Sequence, residues 1–127
     1  MKNFRIVFLS ILAILILRCA PEVVITSVDP DYKMIRYSGR INFEDKKAPE
    51  IYWPGTQIEF MFEGEELKAK LKDEKGENYF NIIIDEDSLR YIKLDKESRY
   101  YTLAKGLTEG KHTIKLNKRT ECDMGKT

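Results

Sequence analysis

His112 is the one histidine in the chain, so any histidine-based general base or metal site would have to use it. It lies in the tract Gly110, Lys111, His112, Thr113, Ile114, Lys115, Leu116, Asn117, Lys118, Arg119, Thr120, Glu121, which reads as a strand entering a compact run of bases and acids. His112, Ile114 and Leu116 share one face at a period of two, and Thr113, Lys115 and Asn117 take the other. A histidine on the apolar face of a strand reads as a packed, hydrogen-bonded structural residue before it reads as a catalyst. The serines are Ser10, Ser27, Ser38, Ser88 and Ser98, and none stands in a nucleophile-elbow pattern. No catalytic triad assembles from these residues.

The acids are equally reserved. Asp85, Glu86 and Asp87, or Asp29 and Asp31, could gather around calcium, but their spacing lacks the oxygen-ligand pattern of a dedicated loop, and three adjacent acids read as a solvated bend. No zinc arrangement and no cofactor motif is present, so neither a metal nor a cofactor is assigned. Tyr52 and Trp53, beside Pro54 and Gly55, are the candidates for carbohydrate contact. An aromatic face covers the apolar side of a pyranose while polar neighbours hold its hydroxyls. The competing reading, favoured for the sole tryptophan of a small domain, has Trp53 filling the end of the core.

A chain of 127 residues, 43% hydrophobic and 34% charged, has room for one core. Its 22 bases and 21 acids give a net charge of +1; setting aside Lys2, Arg5 and Arg18 leaves 19 bases against 21 acids. That balance argues against nucleic acid, which needs a concentrated positive field. Residues 1–18 are laid out as a secretory signal, with Lys2 and Arg5 ahead of an apolar run from Ile6 to Leu17. The run spans about 18 Å as a helix, short of a ~30 Å hydrocarbon core. Cys19 follows directly and resembles the lipidated cysteine of a bacterial lipoprotein, although Arg18 stands where that signal wants a small residue. The alternative is an ordinary signal with Cys19 as a bystander. Export to the periplasm or cell surface is expected either way, with membrane contact only through a lipid anchor. Cys122 is the only other cysteine, so no disulfide framework is implied.

After a tether over residues 19–33, short alternating runs separated by turn residues predict an all-β domain over 34–127. Met34 to Tyr37 and Arg40 to Glu44 read as a hairpin about Ser38 and Gly39. In Gln57 to Glu63, Ile58, Phe60 and Phe62 share a face, and Leu67, Ala69 and Leu71 do so in the next run, with Lys68, Lys70 and Lys72 outward. Asn78 to Ile84, apolar on both sides, reads as a central strand covered on each face. About eight or nine short strands result, the number of an antiparallel β-sandwich.

Ile35 to Ile41, Trp53 to Thr56, Phe62 to Gly64, Asn81 to Asp85 and the Gly110 to Glu121 tract together resemble the N-terminal domain of carbohydrate esterase family two. The resemblance covers residues 34–127. It implies a β-sandwich of jelly-roll type in exported acetyl esterases of plant polysaccharides such as xylan and glucomannan. It also implies that the chemistry belongs to a downstream hydrolase domain of the SGNH kind, whose Gly-Asp-Ser motif these 127 residues do not contain.

The expectation is a non-catalytic accessory domain, without hydrolase activity of its own, partnered by the catalytic domain in cis or on a separate chain, and in contact with plant polysaccharide. The resemblance further implies one more apolar strand after Thr127, hence an exposed edge and lower stability without it. Lys118, Arg119 and Glu121 read as solvated surface, with Arg119 and Glu121 expected to dock the catalytic domain or to pair with each other. A freestanding carbohydrate-binding lipoprotein is the alternative.

Overall fold

The computed structural model describes residues 26–127; the signal segment, Cys19 and the first half of the tether lie outside the described residues. Nine short strands follow one another: β1 (Arg36–Ser38), β2 (Ile41–Asn42), β3 (Glu50–Ile51), β4 (Gln57–Glu63), β5 (Glu66–Leu71), β6 (Tyr79–Ile84), β7 (Ser88–Lys93), β8 (Arg99–Lys105) and β9 (Lys111–Lys118). A 3-10 turn at Cys122–Met124 completes the described elements. Every pairing is antiparallel, in a five-stranded sheet of order β1-β4-β9-β6-β7 and two ribbons, β2-β3 and β5-β8. The expected all-β sandwich is the observed fold.

The core forms where alternation in one layer meets alternation in the other. Phe80, Ile82 and Ile84 of β6 and Ile114 and Leu116 of β9 face Tyr101, Leu103 and Ala104 of β8, with Leu94 and Ile51 closing the ends. Ile58, Phe60 and Phe62 pack against this cluster from β4, and Leu67, Ala69 and Leu71 from β5, as their period of two demands. Each fully buried aliphatic chain contributes about 1.5–3 kcal/mol relative to exposure. β9 sits at the centre, pairing along its length with β4 and with β6.

Tyr101, Leu103 and Ala104 cannot all point inward from a regular strand. The register slips here: Leu67 faces Ala104 while Lys68 faces Thr102, so Leu103 is an extra residue and the phase of the side chains shifts. Carbonyls alternate sides in a regular strand, yet those of Thr102 and Leu103 both accept from the guanidinium of Arg90 on β7. One side chain thereby fastens the five-stranded sheet to the β5-β8 ribbon.

Two expectations are corrected. The predicted first hairpin does not form: β1 pairs with β4, and β2 with β3. Gly39, with φ of +115°, turns the chain from β1 of the five-stranded sheet into β2 of the β2-β3 ribbon, where a side chain would run into Thr56. Nor is β6 buried on both faces; Phe80, Ile82 and Ile84 are buried, whereas Tyr79, Asn81 and Ile83 are only half-covered. β6 is central in its hydrogen bonding rather than in its coverage.

Part of the tether is also placed. Lys47 bonds the carboxylates of Asp29 at 2.7 Å and Asp31 at 2.9 Å, and the Tyr37 hydroxyl donates to the Pro30 carbonyl. The two acids thus hold an ammonium, in an exposed cluster worth little to stability.

A Cβ at position 39 would stand 2.9 Å from Thr56 Oγ1 and 3.1 Å from its Cα, in a backbone region that disfavours side chains. Gly39→Ala is expected to cost about 2 kcal/mol, read as a lower urea midpoint with the same m-value; an unchanged midpoint would show that the crossover is not tightly held.

Candidate functional site

The chemistry-bearing side chains collect at the two ends of β9. At its start, His112 is buried on the inner face beside Phe62, with ring centroids 5.6 Å apart. Its Nδ1 lies 2.7 Å from Asp85 Oδ2 and its Nε2 lies 2.8 Å from the Thr108 carbonyl. Both partners accept, so both ring nitrogens serve as donors when the imidazole is protonated. The Thr108 carbonyl and then the Asp85 carboxylate raise the imidazole pKa above its usual range. Asp85 is held below the usual carboxylate range by His112 and by the Thr113 amide. The solvated bend expected at Asp85 to Asp87 is therefore only partly so. Asp85 and Glu86 take positive φ to turn β6 into β7, which aims Asp85 at His112 and Glu86 at Lys115.

At the other end, alternation carries Lys118 onto the inner face behind His112, Ile114 and Leu116. The solvated lysine expected there is instead 2% exposed. Its Nζ donates to the carbonyls of Tyr52 at 2.9 Å, Thr120 at 3.2 Å and Glu121 at 3.3 Å, using all three protons. Burial lowers its pKa below the usual lysine range.

Next to it, Asp73 is fully buried and accepts from the amides of Gly76 and Glu77, from Asn78 Nδ2 at 2.5 Å and from Thr127 Oγ1 at 2.8 Å. Burial pushes its pKa up, but bonds from Asn78, Thr127 and the loop amides outweigh that and hold the carboxyl below its usual range. Asn78 also reaches the Met124 and Gly125 carbonyls, and Thr120 Oγ1 donates back to Asn78 Oδ1. Thr127 exchanges two backbone bonds with Ile51, as opposed strand residues do.

Tyr52, Trp53, Arg119 and Glu121 sit around this polar plug. Trp53 is 43% exposed, so it does not fill the core as the favoured reading had it. Pro54 and Gly55 form a tight turn tied to the Lys118 carbonyl, which lifts the indole off the core; Arg40 lies 5.1 Å over the ring. Tyr52 donates to Glu50 Oε2 at 2.8 Å, and Glu50 also holds Lys126. A shallow depression lined by Gly39, Arg40, Ile41, Asn42, Tyr52 and Trp53 results. Arg119 does not pair with Glu121 among the described residues; its guanidinium lies 5.3 Å over Tyr91, beside Tyr79 and Thr120. Lys118, Asp73 and Asn78 were missed by sequence reasoning; the period of β9 was the available signal for Lys118, and the other two had none.

The sandwich thus carries two engaged polar clusters, one at each end of β9, and two exposed aromatic ledges. Residues 37–127 match the model for the family described as carbohydrate esterase 2 N-terminal. The chain belongs to that family. It is 36% identical over 97 residues to the cellulase/esterase CelE of Acetivibrio thermocellus, covering 76% of this chain and 12% of the relative. The acetylxylan esterase/glucomannan deacetylase of Cellvibrio japonicus is 26% identical over 87 residues, 68% of this chain and 24% of the relative. A family two carbohydrate esterase from Clostridium thermocellum, solved in complex with cellohexaose, superposes with a TM-score of 0.68 at 36% identity, over 72% of this chain and 28% of that one. The Cellvibrio japonicus family two esterase structure superposes at 0.73 with 23% identity, over 78% and 30%. The chain thus spans less than a third of each of these proteins.

Two predictions follow from the ends of β9. Lys118→Met keeps the length of the side chain but leaves three carbonyls without their donor, an expected loss of about 3 kcal/mol in chemical denaturation; a loss under about 1 kcal/mol would mean water replaces the ammonium. For His112 the folded pKa is raised, so its contribution is complete below about pH 6.5 and fades as pH rises through the folded value. Asp85, with a depressed folded pKa, contributes above about pH 4 and loses this as pH falls through its folded value. The stability difference between wild type and His112→Gln should be greatest between those limits and shrink above them; a difference flat from pH 5 to about pH 9 would refute the assignment.

Proposed function

We propose that this chain serves as the non-catalytic accessory sandwich of an exported esterase that removes acetyl groups from polysaccharides. It stands beside an SGNH catalytic domain carried in cis or on a separate chain. The observation that carries this reading is the engagement of the sole histidine: both nitrogens of His112 are taken by Asp85 and Thr108, so it has no position free to activate a serine. The family match supports the same reading, because the matched model is that of an N-terminal domain and the related esterases are several times this length.

The polysaccharide contact belongs to Trp53 and Tyr52. The indole is exposed, steadied by Arg40, and bordered by the amide of Asn42 and the Tyr52 ring, which suits an apolar sugar face with hydroxyls at its edge. A relative was solved with cellohexaose bound, which makes a β-linked glucan the first ligand to try. Arg119 and Glu121, exposed beyond the end of β9, are assigned to contact with the catalytic domain. Export, and attachment through Cys19, rest on the basic-then-apolar order of residues 1–18.

The test uses the chain itself. No hydrolysis of p-nitrophenyl acetate or acetylated xylan above background is expected, while cellohexaose or xylohexaose should produce a saturable change in Trp53 fluorescence. Turnover abolished by His112→Gln would overturn the accessory reading, and an indole signal indifferent to both glycans would remove Trp53 from the contact.

A further inference from the structure

The outer face of the five-stranded sheet carries a feature that the Trp53 ledge does not explain. Cross-strand register lines up Tyr91 with Asn81, Asn81 with Asn117, and Asn117 with Gln57. Four neighbouring strands thus place one aromatic ring and three primary amides in a single row at right angles to the chain direction. In a protein with 34% charged residues, this row holds no formal charge and no aliphatic side chain. The next row is different, running Leu89, Ile83, Lys115, Glu59 and Arg36.

The amides are also chemically idle. Neither the Asn81 nor the Asn117 side chain makes a hydrogen bond among the described residues, and Gln57 has one long contact, 3.3 Å to Glu59. All three are half-exposed, within reach of solvent or of a ligand lying on the sheet. Each amide offers a donor pair and an acceptor, the set that two adjacent sugar hydroxyls can satisfy together. At the end of the row, Tyr91 is 63% exposed and meets Tyr79 at 6.1 Å and 53°. Arg119 lies over one face of Tyr91, 5.3 Å from its centroid, and Lys93 over one face of Tyr79, 5.8 Å from its centroid, which holds the two rings in place.

We propose that the row Tyr91, Asn81, Asn117 and Gln57 is a binding site for a neutral oligosaccharide laid across the strands of the sheet. Strands repeat every 4.7–4.9 Å or so, which puts an amide at each step beneath an extended sugar chain while the tyrosines take the apolar face of a terminal ring. The site is separate from the Trp53 ledge. It rests on the reading of polysaccharide as this domain's partner, and its residues are distinct from those assigned to that contact.

The experiment follows side-chain amide signals by NMR in the full isotope-labelled chain during titration with cellohexaose and, separately, xylohexaose. The Asn81, Asn117 and Gln57 amide pairs are expected to shift together. Asn81→Ala with Asn117→Ala, and Tyr91→Ala alone, should each weaken binding at least about tenfold, the loss of one or two ligand hydrogen bonds or a stacking contact. The backbone spectrum of each variant should remain that of the folded protein, since these side chains are outside the core. Trp53→Ala should leave the amide shifts in place. Shifts confined to the Trp53 indole, with the asparagine variants binding like wild type, would overturn the row while leaving the Trp53 contact standing. No shift at either surface with saturating glycan would overturn both.

Discussion

A lysine ammonium buried under three carbonyls holds this domain's end together. Lys118 occupies the last inward position of the central strand, where hydrophobic alternation alone would have placed another leucine. Its three bonds join the β3–β4 turn, through Tyr52, to the Thr120 and Glu121 backbone beyond β9. The carboxylate of Asp73 contributes opposite charge from the neighbouring loop, and through Asn78 and Thr127 it ties down the segment that follows. A buried charge is tolerated only when its hydrogen bonds are complete, and here they are. Both exposed aromatic ledges depend on this arrangement, because Trp53 hangs from the turn that Lys118 grips and Arg119 is its immediate neighbour.

The domain therefore divides its labour by layer. The inner faces are closed by aliphatic packing and by two polar clusters, one at each end of β9, in which His112, Asp85, Lys118 and Asp73 are all hydrogen-bonded. The outer face and the turns carry the groups that remain available: an indole, two tyrosines and a set of amides. Membership of an esterase family does not require this part of the chain to perform ester chemistry, and its sole histidine is committed to the fold.

Much of this was legible from periodicity. The inward sets Ile58, Phe60, Phe62 and Ile114, Leu116 are where a period of two puts them, and the strand count and fold class follow. Pairing partners were not legible where the chain changes sheets, because Ser38-Gly39 looks the same whether it makes a hairpin or a crossover; the decision belongs to Thr56, 17 residues later. Similarly, a lysine in a basic run is indistinguishable by type from a solvated one, and only its phase relative to Leu116 marks it as buried. Trp53 misled for the opposite reason: its composition favours burial, but a Pro-Gly turn next to it sets the direction of the ring. The amide row is invisible along the chain, since its members are brought side by side only by the register of β4, β9, β6 and β7.

The slipped residue at Leu103 has an effect on how these molecules meet one another. An outer strand normally presents a line of open acceptors to which another polypeptide can add, the first step toward ordered aggregates. Here two successive acceptors on β8 are turned toward β7 and already satisfied by Arg90, and the local twist departs from the flat geometry that such addition needs. A residue that improves the packing of the interior thus also makes the margin of the ribbon a poor template for another chain.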